Sequence, residues 1–112
     1  MKNILDTIYN TTYNVIKAQW DKLLARIKSL DKNMRFLELK KVLESYGYTV
    51  SQPKGGSSHY IFWKAGCNPI TIPKHEPIKV VYVRMVKETV ESEEKNKEDW
   101  YENIRRIHEN AL

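Results

Sequence analysis

The chain predicts an α+β domain: a block ordered helix, strand, strand, strand, helix, with one further helix before it and one after it. Three observations predict this. Apolar residues recur at helical spacing in the first part of the chain and again after residue 79. Between these stretches lie three short segments rich in β-branched and aromatic residues, separated by turns that contain glycine and proline. Neither an internal repeat nor a long low-complexity segment breaks this order.

The elements follow from the residues in order. Ile16, Trp20, Leu23, Leu24, Ile27 and Leu30 fall on one face of an amphipathic helix, and Ile4, Ile8 and Tyr9 extend it upstream. Asn10-Thr11-Thr12 predicts an interruption, because these side chains favour caps and turns. This segment holds no catalytic constellation; it reads as a helix that packs on the body or on a second copy. A second helix, capped by Asp31 or Asn33, runs to about Tyr46 with Phe36, Leu39, Val42, Leu43 and Tyr46 on one stripe. Gly47 stands where a helix ends in the left-handed region. Strands are expected from Tyr48 to Ser51, His59 to Lys64 and Pro69 to Pro73. Val80, Val83, Val86 and Val90 mark a third helix. The charged run from Ser92 to Glu98 predicts a solvated break, and Trp100, Ile104 and Ile107 a short last helix. The organisation expected is therefore an N-terminal helical extension over 1–33, an α-β-β-β-α domain over 34–91 and a charged helical tail over 92–112.

Composition narrows the function classes. The chain has 112 residues, 41% of them apolar and 29% charged, which suits one modest core under a well-solvated surface. No stretch is apolar enough to span a bilayer, and Lys2 is followed by no apolar block of a signal peptide. Cys67 is the lone cysteine, so an internal disulfide is excluded. These features predict a cytoplasmic protein, in which the Asn10-Thr11-Thr12 glycosylation triplet is a chance match. The net charge of +5 divides into +3 over 1–33, +4 over 34–91 and −2 over 92–112. A basic body with an acidic tail fits a nucleic-acid partner, although many small proteins are mildly basic for no such reason.

The candidate chemistry centres on one segment. His59, Cys67, His75 and His108 show no metal-ligand spacing, so no metal and no cofactor is expected. Gly55-Gly56 is too short for a nucleotide-binding loop, and no serine lies in a nucleophile elbow. What remains is Lys54-Gly55-Gly56-Ser57-Ser58-His59. Glycines let a backbone approach a ligand closely, amides and hydroxyls in such a turn can hold phosphate oxygens, and Lys54 adds charge. An imidazole titrates near pH 6.5, so it serves as base or acid at neutral pH. RNA carries its own nucleophile, the 2′-hydroxyl, which needs only a proton acceptor beside a bound phosphate. Lys64, Lys74 and Lys79 are candidates for backbone contacts, Tyr60 or Trp63 for base stacking, and His75 for the second proton-transfer group. For each of these a surface or core role is the alternative. Tyr60 and Phe62 point to one sheet face, and His59, Ile61 and Trp63 to the other.

A family resemblance adds to this. Leu39-x-x-Val42-Leu43-x-x-x-Gly47-Tyr48, the run Lys54 to Phe62, Ile70-Thr71-Ile72-Pro73-x-His75, and a following helix with Arg84 and Val86 together resemble the HicA family of type II toxins. The resemblance covers about residues 34–91, roughly half the chain, and its most specific piece is Gly-Ser-Ser-His-x-Ile-Phe followed by Thr-Ile-Pro. It implies a fold like a double-stranded-RNA-binding domain and a toxin that is a metal-independent endoribonuclease cleaving mRNA. It also implies a HicB-like antitoxin as partner, and it places the family's catalytic histidine at His59. The alternatives are a non-catalytic RNA-binding module and a protein-interaction domain. The segments 1–33 and 92–112 lie outside the resemblance.

Overall fold

A computed structural model describes residues 3–52, 55 and 58–111. Its elements are α1 (Ile4–Lys28), α2 (Phe36–Ser45), β1 (Thr49–Ser51), β2 (His59–Trp63), β3 (Ile70–Pro73) and α3 (Val80–Ala111). The three strands form one antiparallel sheet in the order β1-β2-β3. The α+β class and the strand order expected from the sequence are therefore present.

Helix α1 is continuous, which corrects the expected break at Asn10-Thr11-Thr12. The Asn3 side chain caps its start by accepting from the Leu5 N–H at 3.3 Å. Thr11 satisfies its own hydroxyl by donating to the Thr7 carbonyl at 2.9 Å, so it does not divert the backbone. The helix ends on Leu30, which has φ +58, and the Asp31 N–H closes onto the Arg26 carbonyl at 3.0 Å.

The sequence suggested Asp31 or Asn33 as the cap of α2, and neither fills that place. Arg35 occupies that position, and its N–H donates to Glu38 Oε1 at 2.9 Å. The Phe36 N–H donates to Glu76 Oε1 at 3.2 Å, so a carboxylate from beyond β3 holds the helix start. Asp31 is used elsewhere: it accepts from the Asn33 N–H at 2.8 Å and from Arg26 Nε at 2.8 Å. Gly47 does end α2, at φ +93, while the Tyr48 N–H reaches back to the Leu43 carbonyl at 3.1 Å.

The expected break over Ser92 to Glu98 is also corrected. Helix α3 runs unbroken through it, about 48 Å at the usual helical rise. The chain from Val80 onward contains neither glycine nor proline, and the charged run consists largely of good helix formers. Two of its charges are anchored. Lys64 Nζ meets Glu93 Oε1 at 2.6 Å, and Lys28 Nζ meets Glu94 Oε1 at 2.9 Å.

The core gathers Leu39, Val42 and Leu43 from α2, Phe62, Ile70 and Ile72 from the sheet, and Val83, Val86 and Val90 from α3. Ile27 of α1 is fully buried among them, and Trp20, Leu23 and Leu24 pack against the same cluster. The C-terminal part of α1 is thus a working part of the body. Arg26 fixes it there through Asp31 at 2.8 Å and Glu38 at 2.6 Å. The covered sheet face is the one bearing Tyr60 and Phe62: Phe62 is fully buried and the Phe36 ring lies 4.8 Å from that of Tyr60. Among the described residues, no helix is long and apolar enough to cross a membrane.

Candidate functional site

Strand alternation places His59, Ile61 and Trp63 of β2 on the face opposite the core. The register sets Thr49 beside Trp63, Ser51 and Thr71 on either side of Ile61, and Pro73 beside His59. His59, Trp63, Thr49, Ser51 and Thr71 are all exposed, Ile61 is half-buried, and Pro73 is buried at the strand end. This face therefore carries hydroxyls, an imidazole and an indole where the other carries core.

The indole is fixed. Trp63 Nε1 donates to Ser51 Oγ at 3.2 Å across the β1–β2 pair, and Ser51 Oγ donates to the Ile61 carbonyl at 3.4 Å. Trp63 still has 48% of its surface exposed, so it presents a ring whose polar atom is already satisfied.

At the other end of β2 lie His59, Ser58 and His75. His59 begins the strand opposite Pro73, and the Lys74 N–H donates to the Ser58 carbonyl at 2.7 Å, continuing the pairing by one residue. That bond brings the segment after β3 alongside Ser58. As a result Ser58 Oγ and His75 Nε2 lie 3.1 Å apart in a hydrogen bond. The segment is held from behind: Glu76 caps α2, and the Ile78 N–H donates to the Met34 carbonyl at 2.9 Å. The Glu76–Pro77 peptide bond is cis. His59 and His75, 16 positions apart in sequence, thus flank one serine at one end of the sheet.

The remaining candidates divide. Gly55 is exposed with φ +81, a conformation that disfavours any side chain, and a Cβ there would meet nothing within 4 Å. Lys54, Gly56 and Ser57 lie outside the described residues. Lys74 lies next to the His75 cluster, but its Nζ stands 5.8 Å from the Phe36 ring centroid and 5.9 Å from that of Tyr60, at the margin of the covered face. Lys64 is not part of the cluster. It lies past the far end of β2, about 16 Å from His59 at strand rise, and is neutralised by Glu93. Lys79 is exposed at the start of α3. Among the described residues, no group of three or more His, Cys, Asp or Glu side chains is placed to hold a metal ion.

Sequence reasoning missed three parts of this site: the Trp63–Ser51 lock, the Ser58–His75 bond and the Glu76 cap. Once the strand register was known, the first two could have been read from it. The cap depends on a turn whose path no local signal specifies. Two clefts among the described residues lie elsewhere. One of about 460 Å³ is lined by Leu23 and Arg26 of α1 and by Leu37 and Lys41 of α2. Another of about 420 Å³ lies between the Cys67 turn and α3; on its wall, burial holds the Tyr48 phenol above its usual range, with Cys67 adding to the effect. His59 and His75 are both exposed. No family model, curated protein or solved structure matches this chain.

Proposed function

We infer that the chain is a toxin of the HicA type: a cytoplasmic, metal-independent endoribonuclease that cleaves mRNA and is neutralised by a HicB-like antitoxin. The observation that carries this reading is the cluster at the start of β2. There His59 stands on the exposed sheet face, one residue from a serine bonded at 3.1 Å to a second histidine. The α-β-β-β-α block around it is read as a relative of the double-stranded-RNA-binding fold.

On this reading the Gly55–Ser58 turn and Lys54 hold a phosphate, and Lys74 adds positive charge beside it. His59 takes the proton from the adjacent ribose 2′-hydroxyl. The 2′-oxygen attacks phosphorus, the bond to the 5′-oxygen breaks, and that oxygen leaves with a proton. His75, oriented by Ser58, is the candidate proton donor. Trp63 stacks on a base further along the face. The products are a 2′,3′-cyclic phosphate and a 5′-hydroxyl. DNA, lacking the 2′-hydroxyl, is not cut.

The test is incubation of the purified chain with a single-stranded RNA, and with the DNA of the same sequence, in the presence of a chelator. Cleavage of the RNA alone, leaving cyclic phosphate ends, is expected. Salt-sensitive binding that leaves the RNA whole would instead make this a binding module.

A further inference from the structure

The N-terminal half of α1 is an apolar surface in search of a cover. From Ile4 to Ile16 seven large apolar side chains are 53–73% exposed. At helical spacing they occupy about half the circumference, with Thr12 among them, while Asn3, Asp6, Thr7, Asn10, Thr11 and Asn14 occupy the other half. The stripe also continues the buried seam of the same helix. Tyr9, Tyr13, Ile16, Trp20, Leu23 and Ile27 follow one heptad pattern, and only its last part, about two turns from Trp20 to Ile27, meets the body.

We propose that this half of α1 is a homodimer interface, covered by the same segment of a second copy running antiparallel about a two-fold axis. Three observations select that occupant. The first is area. Seven such side chains at roughly 100 Å² each offer ~700 Å², close to the ~800 Å² per partner of a standard interface and above the usual apolar patch on a monomer. The second is charge. Thr7 to Ile16 carries no charged residue, so two copies meet without repulsion. The flanking charges are Asp6 at one end and Lys17 at the other, so antiparallel pairing sets each near its opposite, whereas parallel pairing sets like against like. The third is helix stability. Every residue from Thr7 to Ile16 is threonine, isoleucine, tyrosine, asparagine or valine, all weak helix formers, and a short isolated helix of such residues does not persist in water. Packing against a second copy supplies what propensity lacks. An anionic bilayer is a poorer fit, because from Asn3 to Ile16 the helix carries no cation and one anion, Asp6.

Sedimentation of the full chain tests this. A dimer at micromolar concentration is expected, with the helical circular dichroism signal falling as dilution dissociates it. Ile8→Glu combined with Tyr13→Glu should give a monomer whose body unfolds cooperatively as before, because both side chains are exposed in the single chain. Trp100→Glu, on the exposed patch of α3, should leave the dimer intact. In a Cys67→Ser background, mixing Asp6→Cys with Lys17→Cys chains should yield the mixed disulfide faster than either alone. A chain that is monomeric throughout, a dimer that survives the double glutamate variant, or cross-linking only between Asp6→Cys chains would overturn the proposal. So would binding to anionic vesicles by a chain that stays monomeric.

Discussion

The two faces of the sheet share one backbone and differ in what alternation gives them. Tyr60, Phe62, Ile70 and Ile72 face α2 and α3 and supply the core. One residue out of phase, His59, Trp63 and Thr71 face outward, with hydroxyls and rings where the first face has packed carbon. A sheet with both faces apolar would need a second layer of helices. A face that is polar yet ordered, with an indole pinned by a serine, has been fixed by hydrogen bonds that burial does not require. The covered face builds the core, and on the function proposed above the open face is the one that meets RNA.

That division is breakable by substitution. The largest effect belongs to the covered face: Phe62→Ala should cost about 3–5 kcal/mol of stability, measured by denaturant unfolding, because the ring is fully buried. Its neighbour in sequence should behave oppositely. Trp63→Ala should weaken RNA binding by roughly 1–3 kcal/mol, read by titration, and should change stability little. A large loss of stability there would erase the contrast between the faces. Lys64→Met should cost at most about 1 kcal/mol, through its pair with Glu93, and should leave RNA cleavage unchanged. Reduced cleavage would extend the site along the whole strand.

The smallest effect concerns the clamp that holds α1 to the covered side. The Arg26 hydrogen bond, and after it the Asn33 N–H, keep the Asp31 carboxyl below its usual range. A depressed carboxyl stabilises the fold above its unfolded pKa, about 3.9, and that contribution is lost as pH falls through the folded value. The thermal midpoint should therefore decline below about pH 4, and Arg26→Gln should flatten that part of the profile.

Much of this contrast was legible in the sequence. The alternation of His59-Tyr60-Ile61-Phe62-Trp63 separates the two faces without saying which one the helices cover. The side was settled by Phe36 and the α3 valines, through contacts distant in the chain. Gly47 was readable because a helix end needs φ above zero there. Helix ends set by charges from elsewhere were not: Glu76 caps α2 across 40 positions, and Asp31 was drawn to Arg26. The unbroken α3 was missed because a charged run was read as a break, although it lacks any residue that stops a helix. His59 and Ser58 were candidates from their turn. His75 was a candidate by position alone until pairing past the end of β3 set it against Ser58.

The central claim is that the exposed end of β2 carries the chemistry, and the most direct measurement compares the wild-type chain with His59→Ala. RNA cleavage, RNA affinity and thermal unfolding are followed for both in the presence of a chelator. The account predicts that cleavage falls roughly a hundredfold or more, as expected for loss of a general base, while affinity and unfolding stay near wild type. Undiminished cleavage by His59→Ala would contradict it.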